Sequence, residues 1–292
     1  MTTHHLYEPG RLRITPAVAD NIDEHVIPLG YTEAGLATAD LNHDPHVLVA
    51  GPPGSGKTAT ARGLAAYLLA AGWGAIITGH AVCQTYGTLA GWSNTHVREP
   101  EAADAEDLAT LVRAEAMRRF EIMRAAQIEH RAEIEDGPRR FFRPLVIVED
   151  GAGPVASEKL AHYAAAAIHV VRVTPSVHAL ADDQHHNFTT RLLSARPGHI
   201  IDTGCWTELV PAREGPPPAP GPHLTMAGEA AAPRPIEPIV CDHHDLEACA
   251  HAGARKAALD DGYRHMRLAE ALGTRPGAIS PTPDWLLLGG DL

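Results

Sequence analysis

Positive charge is what this chain has too little of. Its 24 lysines and arginines face 36 acidic residues, for a formal charge of −12 over 292 residues. Non-specific affinity for duplex nucleic acid grows with the number of phosphates neutralised, so coating of DNA by the whole surface is excluded. A basic lining confined to the pore of a ring is not. Aromatic residues are also scarce, at 5 %. Alanine takes up much of the interior, and an aliphatic, helix-rich core is expected. Four cysteines, Cys83, Cys205, Cys241 and Cys249, are too few and too scattered for a disulfide framework. They point to a reducing compartment, and a cytoplasmic placement is expected. No uninterrupted apolar run reaches the roughly 18 residues of a membrane span. The longest candidate, Leu64 to Thr78, is broken by Gly72 and Gly74. Neither a secretory leader nor a membrane segment of the chain's own is therefore expected.

What is present is a phosphate loop. Gly51, Pro52, Pro53, Gly54, Ser55, Gly56, Lys57 and Thr58 fit G-x-x-x-x-G-K-[ST] at every position. The context fits as well. His46 to Ala50 is a short β-prone run. After the loop, Ala61, Leu64, Ala65, Leu68 and Leu69 recur at helical spacing. The glycines let the backbone wrap around phosphate oxygens, and the loop N–H groups and the helix N-terminus supply positive potential. Lys57 is expected to reach the β- and γ-phosphates of ATP, and the Thr58 hydroxyl to ligate Mg²⁺.

The rest of the chain alternates strand and helix. Val26 to Leu29 and Leu36 to Asp40 read as strands around a turn at Tyr31 to Gly35. Gly74 to Thr78 is a second core strand, and 81 to 100 an irregular connection. Asp104 to Glu135 is the longest helical pattern, with Leu108, Leu111, Val112, Ala116, Phe120 and Met123 on one stripe. Leu145 to Val148 is fully apolar, as a buried parallel strand would be. Ser157 to Ala167 is a small helix, Ile168 to Val173 another strand and His199 to Ile201 the next. Such alternation predicts an α/β fold with a parallel central sheet. Three parts are expected: residues 1–45 as a small β-rich segment, 46–250 as the core with a Pro-rich insert at 211–222, and 251–292 as a helical or mobile tail.

A phosphate loop also needs carboxylates for the metal and the attacking water. Glu149-Asp150 is the only acidic pair directly after a buried apolar strand. It is expected at the strand's C-terminal end, beside the loop, where ligands of such sheets bind. In this reading Thr58 and Glu149 organise Mg²⁺ and Asp150 orients the attacking water. The plainer alternative is that two acids cap a strand end.

Several separated segments together resemble the FtsK/SpoIIIE type of P-loop motor, which pumps double-stranded DNA. IPLGYTEAG followed by ATADLNHDPHVLVAGPPGSGKT is similar to the family's hairpin and loop. EAMRRFEIMRA, LVIVEDGAG, AAAAIHVVRVTPSV, NFTTRLLSA and PGPHLTMAGEAAAPRPIEPIVCDHHDLEA follow in the family's order. The resemblance covers roughly residues 25 to 250. It implies a RecA-like ATPase core, assembly into a hexameric ring and Arg191 as an arginine finger for a neighbouring subunit. It also implies a membrane-anchored partner protein, since the family's own membrane helices and winged helix have no counterpart here. Three departures stand out. The family's Asp-Glu is reversed to Glu149-Asp150. Val173 replaces a γ-phosphate-sensing Gln. Thr78-Gly79-His80 replaces an Asp-Pro-Lys. Two other readings stay open: an ATPase like those of type VII secretion, moving protein, or a nucleotide-binding partner that rarely turns over.

Weaker constellations remain. Cys241, His243, His244, Cys249 and His251 match no common zinc-finger spacing. Buried cysteines and solvated histidines in a helix are expected instead. Arg139, Arg140 and Arg143, with Phe141 and Phe142 between them, are the densest basic cluster, suited either to phosphate contact or to a solvated loop.

Overall fold

The computed structural model describes residues 7–8, 11–19, 25–79, 82–90, 92, 94–98, 104–127, 137–151, 155, 160–176, 186–194, 200–202, 207–209, 224–226, 234–239 and 241–283. The first part comprises β1 (Tyr7–Glu8), β2 (Arg11–Leu12), α1 (Pro16–Ala19), β3 (Val26–Thr32) and β4 (Gly35–Asp40). Then come β5 (Val47–Ala50), α2 (Lys57–Ala70), β6 (Gly74–Gly79), α3 (Val82–Tyr86), β7 (Thr95–Arg98) and α4 (Asp104–Ala125). β8 (Leu145–Asp150), α5 (Leu160–Ala165), β9 (Ile168–Thr174) and β10 (Thr190–Leu193) complete the central alternation. Last are β11 (Ile200–Asp202), β12 (Thr207–Leu209), β13 (Leu224–Met226), β14 (Arg234–Pro235), β15 (Glu237–Pro238) and α6 (His243–Leu272).

The central sheet has the order β14-β13-β10-β5-β9-β8-β6-β7. Strands β10 through β7 in that order are all parallel, and β13 and β14 add antiparallel edges. This is the expected α/β core. β3, β4 and β15 form a separate antiparallel sheet. One face of the central sheet packs on α2, the other on α4 and α5.

α2 is apolar nearly all round, with ten of its 14 residues buried. Such a helix must be covered on both sides. The sheet covers one side and α6 the other, with Gly253 as the point of closest approach. A Cβ there would lie 1.6 Å from the Leu69 carbonyl oxygen. α6 starts at Asp242, whose side chain accepts from Asp245 N (2.7 Å), and ends at left-handed Gly273, whose N–H reaches back into the last turn.

Charges inside the fold fasten α4. Arg119 is fully buried. It pairs with Glu115 (2.6 Å) and donates to the carbonyls of Ala166 and Arg143, both at 2.9 Å. Burial acts to raise the Glu115 carboxyl, but Arg118 and Arg119 outweigh it and hold the group below its ordinary value.

Several sequence expectations need correction. The stretch 81–100 is not wholly irregular: it holds α3, a 3-10 turn at Gly87–Leu89 and the edge strand β7. The long helix runs from Asp104 to Ala125, then turns through Gln127 with φ 54°. α5 ends at Ala165, two residues earlier than expected, and β8 is longer, reaching Asp150. The strand beside β5 is Thr190–Leu193, whose arginine hid the apolar pattern, while Ile200–Asp202 pairs with β12 in its own ribbon. The expected 250/251 boundary falls inside α6. Residues before 46 join the core as well: Leu12, Ile14, Val18, Ile27 and Leu29 share a cluster with α2, and Tyr67 Oη donates to the Val26 carbonyl (2.9 Å). The Pro-rich insert lies outside the described residues.

Arg139 and Arg143 are neither solvated nor free for phosphates. Arg139 lies over the Trp73 ring (5.0 Å) and beside His169 Nε2 (3.2 Å). Arg143 pairs with Asp261 of α6 (2.5 Å). Gly253→Ala is expected to force α2 and α6 apart and to cost about 1–3 kcal/mol, the usual range for overpacking. A urea midpoint equal to wild type would show that the helices can part freely.

Candidate functional site

The phosphate loop spans the gap from β5 to α2. Gly54 and Gly56 hold φ of 77° and 85°, positions where a side chain is strained. Gly51 N donates to the Thr174 carbonyl (3.1 Å), tying the loop's start to the end of β9. Lys57 Nζ donates to the Pro52 carbonyl (3.3 Å), so the ammonium folds back over the loop.

β9 lies between β5 and β8. Parallel register sets Ala50 beside Thr174, and Val173 beside Asp150. The C-terminal ends of three strands therefore open on one edge of the sheet, as expected. Gly79 lets β6 end there too: with φ 142°, a Cβ on it would meet the Asp150 carbonyl oxygen at 2.1 Å. That close approach is what Thr78-Gly79 provides in place of the family's Asp-Pro-Lys.

The two acids of β8 do not share a task. Val146 and Val148 pack in the cluster on the α2 face, Leu145 and Ile147 in the cluster on the α4 and α5 face. Successive side chains of a strand alternate faces, so adjacent carboxylates part company. Asp150 meets the Thr58 hydroxyl, with Lys57 as its charged neighbour. Burial raises its carboxyl above the ordinary value, more than Thr58 and Lys57 lower it. Glu149 is 0 % exposed. Its Oε1 accepts from Val155 N (2.9 Å) and its Oε2 pairs with Arg172 Nη1 (2.8 Å). Glu149, which the sequence reading set beside Thr58, is thus engaged elsewhere, and Asp150 is the carboxylate that meets Thr58. The next residue in the chain, Gly151, has no side chain to offer the water.

Val173 is wholly buried within β9 rather than following it, on the α2 face with Val171. Arg191, expected to reach a neighbouring subunit or to pair at the surface, is 4 % exposed, and its Nε donates to the Phe188 carbonyl (2.8 Å). It sits beside Leu48, two residues before the end of β5.

Sequence reasoning missed two neighbours. Tyr86, from α3, is fully buried, and its hydroxyl donates to the Thr58 carbonyl at 3.5 Å. Burial, then the charge of Asp150, pushes its phenol up. Arg172 holds Glu149. Nothing flagged Tyr86, because it lies in the stretch read as irregular. The cysteines of the weak metal constellation, Cys241 and Cys249, are buried. Burial pushes the Cys249 thiol up to about 12 and raises Cys241 likewise, against the thiolate form a metal takes.

No family model matches the chain, and no curated protein does. Solved structures do. The conjugation coupling protein TcpA of pCW3, in a monomer form with ATPγS, is 15 % identical with a TM-score of 0.60, over 86 % of this chain and 75 % of that one. EssC (ATPases 2 and 3) from Geobacillus thermodenitrificans is 15 % identical at 0.57, over 95 % and 54 %. The cytoplasmic domain of the Thermomonospora curvata type VII secretion ATPase EccC is 14 % identical at 0.55, over 88 % and 32 %. This chain therefore spans about half of the EssC chain and a third of the EccC chain. The likenesses are in fold alone: the α/β core with its parallel central sheet is of the kind these P-loop ATPases have. Among the described residues no helix is long and apolar enough to cross a membrane.

Two outcomes check the division of labour. Glu149→Ala, which breaks the buried pair with Arg172, is expected to cost about 3–5 kcal/mol in urea unfolding, as loss of one partner of a buried pair does. It should leave Mg²⁺-dependent nucleotide affinity within a few-fold of wild type. Asp150→Asn should instead weaken that affinity by more than the ~10–100-fold that losing a mere supporting partner of a ligand costs. The reverse pattern would restore Glu149 to the metal. The pH dependence has a definite sign. A raised folded-state pKa means that the proton on Asp150 favours the nucleotide-free fold, and this contribution is lost as pH rises through the raised pKa. The same proton competes with Mg²⁺, so metal-dependent affinity should fall on acidification already above the ordinary aspartate range. Asp150→Asn should flatten that profile.

Proposed function

We propose that this chain is an ATP-binding motor domain of the FtsK/SpoIIIE type that couples ATP hydrolysis to the movement of double-stranded DNA. One observation carries the reading: Asp150, at the end of β8, meets Thr58 and Lys57 of the phosphate loop across β9. A hydroxyl and a carboxylate are oxygen donors of the kind Mg²⁺ takes, with phosphate oxygens and water completing its shell. Bound Mg²⁺ would neutralise charge on the β- and γ-phosphates. Lys57 and the loop N–H groups bind and orient the triphosphate. Tyr86 and the buried β9 end exclude water from one side. The ordered motifs of the sequence and the likeness in fold to a conjugation coupling protein support the motor reading. On that analogy the working form is a self-assembled ring, hexameric and cytoplasmic, docked on a membrane-anchored partner. Arg191 serves its own sheet rather than a neighbour's site.

Two observations favour slower turnover and leave room for a polypeptide cargo, as in type VII secretion. With Glu149 engaged by Arg172 and glycine at 151, the carboxylate that would orient water is missing from β8's end. With Arg139 and Arg143 buried, two of the three arginines of the densest basic cluster are spent on the fold and only Arg140 of the three is exposed.

Steady-state ATP hydrolysis with and without long linear duplex DNA tests the proposal, alongside Lys57→Ala. A low basal rate, raised several-fold by duplex and abolished in the variant, is expected. Nucleotide binding with no response to duplex would sink the DNA-pump reading and turn the search to protein cargo. Absence of nucleotide binding would sink the motor reading altogether.

A further inference from the structure

The inference rests on the nucleotide-binding reading above. Two hydroxyls at the phosphate loop are buried without a hydrogen-bond partner: Ser55 Oγ within the loop and Ser194 Oγ, just after β10. Ser194 is 7 % exposed. Its backbone N–H donates to the carbonyl of Ala50, the last residue of β5, at 2.8 Å. Both side chains converge on Gly51. A Cβ built there would lie 2.5 Å from Ser194 Cβ and 2.7 Å from Ser55 Oγ. Glycine at 51 thus leaves room for two hydroxyls that have nothing to bond.

A buried hydroxyl without a partner carries an uncompensated desolvation penalty, and such groups in a folded chain call for a specific reason. Other orphan hydroxyls lie elsewhere. Thr190 is at the opposite end of β10, beside Val47, and Thr78 is on β6, three strands from β5. Among the described residues, only Ser55 and Ser194 of these orphan hydroxyls flank the loop. They also sit at the loop's start, on the side to which the Lys57 ammonium folds back. Lys57, the group that reaches the β- and γ-phosphates, places its ammonium 3.3 Å from the carbonyl of Pro52, the neighbour of Gly51. A serine hydroxyl donates one hydrogen bond and rotates to suit its acceptor.

We propose that Ser194, together with Ser55, contacts the terminal phosphate of a bound nucleoside triphosphate and lets the site distinguish triphosphate from diphosphate. Ser194 lies in the segment NFTTRLLSA, but nothing in the sequence gives it a role of its own. It reaches the loop only because β10 pairs with β5 in parallel register.

The test is equilibrium binding of ATPγS and of ADP, each with Mg²⁺, to the full chain as wild type, Ser194→Ala, Ser55→Ala and Lys57→Ala. Thermal melts of the nucleotide-free proteins accompany it. Ser194→Ala is expected to weaken ATPγS about 10-fold, the size of a lost hydrogen bond to a charged group, and to leave ADP within about 2-fold. Its nucleotide-free melting temperature should not fall, since the hydroxyl removed had no partner. Ser55→Ala should show the same preference for loss of the triphosphate, which keeps the question answerable if Ser194→Ala folds poorly. Wild-type affinity of both serine variants for ATPγS would overturn the inference, as would an equal loss for both nucleotides. In those cases Lys57→Ala still abolishes binding and the proposed function stands. If wild type binds neither nucleotide, both fall together.

Discussion

The parallel register of β5, β9 and β8 is the constraint on which the rest depends. Each strand is short and apolar, and each ends at the same edge of the sheet. That coincidence puts the start of the phosphate loop, the close of β9 and the Asp150 carboxylate within reach of one bound molecule. It follows from hydrogen bonds between backbones, with Ala50 set beside Thr174 and Val173 beside Asp150. A slip of one residue in β8 would exchange Glu149 and Asp150 between faces. The site would then hold a longer carboxylate, and the Glu149–Arg172 pair would be broken inside the fold.

Strand alternation turns an acidic dipeptide into two unlike parts. Asp150 faces the nucleotide side and Glu149 the helices α4 and α5. Burying Glu149 is tolerable because Arg172 and the Val155 N–H occupy both of its oxygens. The pair ties the end of β8 to the middle of its neighbour, so it steadies the strand that presents Asp150. Chemistry and scaffold are therefore divided between adjacent residues of one strand.

Charge in this chain is used inward as much as outward. Arg119, Arg139, Arg143 and Arg264 are all buried, and each has an acid, a carbonyl or a ring as partner. They fasten α4 and α6 to the sheet, Arg119 against the buried ring of Phe142 and Arg139 against that of Trp73. One consequence is an outer surface more acidic than the arginine content suggests. Another is that α6 belongs to the core, with Gly253 against Leu69 and Asp261 between Arg143 and Arg264.

By itself the sequence determined the phosphate loop, the α/β alternation and the apolar strands. Each is written in consecutive residues: glycine spacing, a short run of valines and isoleucines, or a helical period. Tertiary structure alone decided which of Glu149 and Asp150 meets Thr58. It also decided that Arg191, Arg139 and Arg143 are interior, and that Tyr86 and Ser194 stand at the loop. Those outcomes depend on which strands pair and which face each residue takes. Partners such as Ser194 and Gly51 lie more than a hundred residues apart along the chain. No local pattern carries such a contact, because pairing between distant strands, rather than the neighbouring residues, creates it.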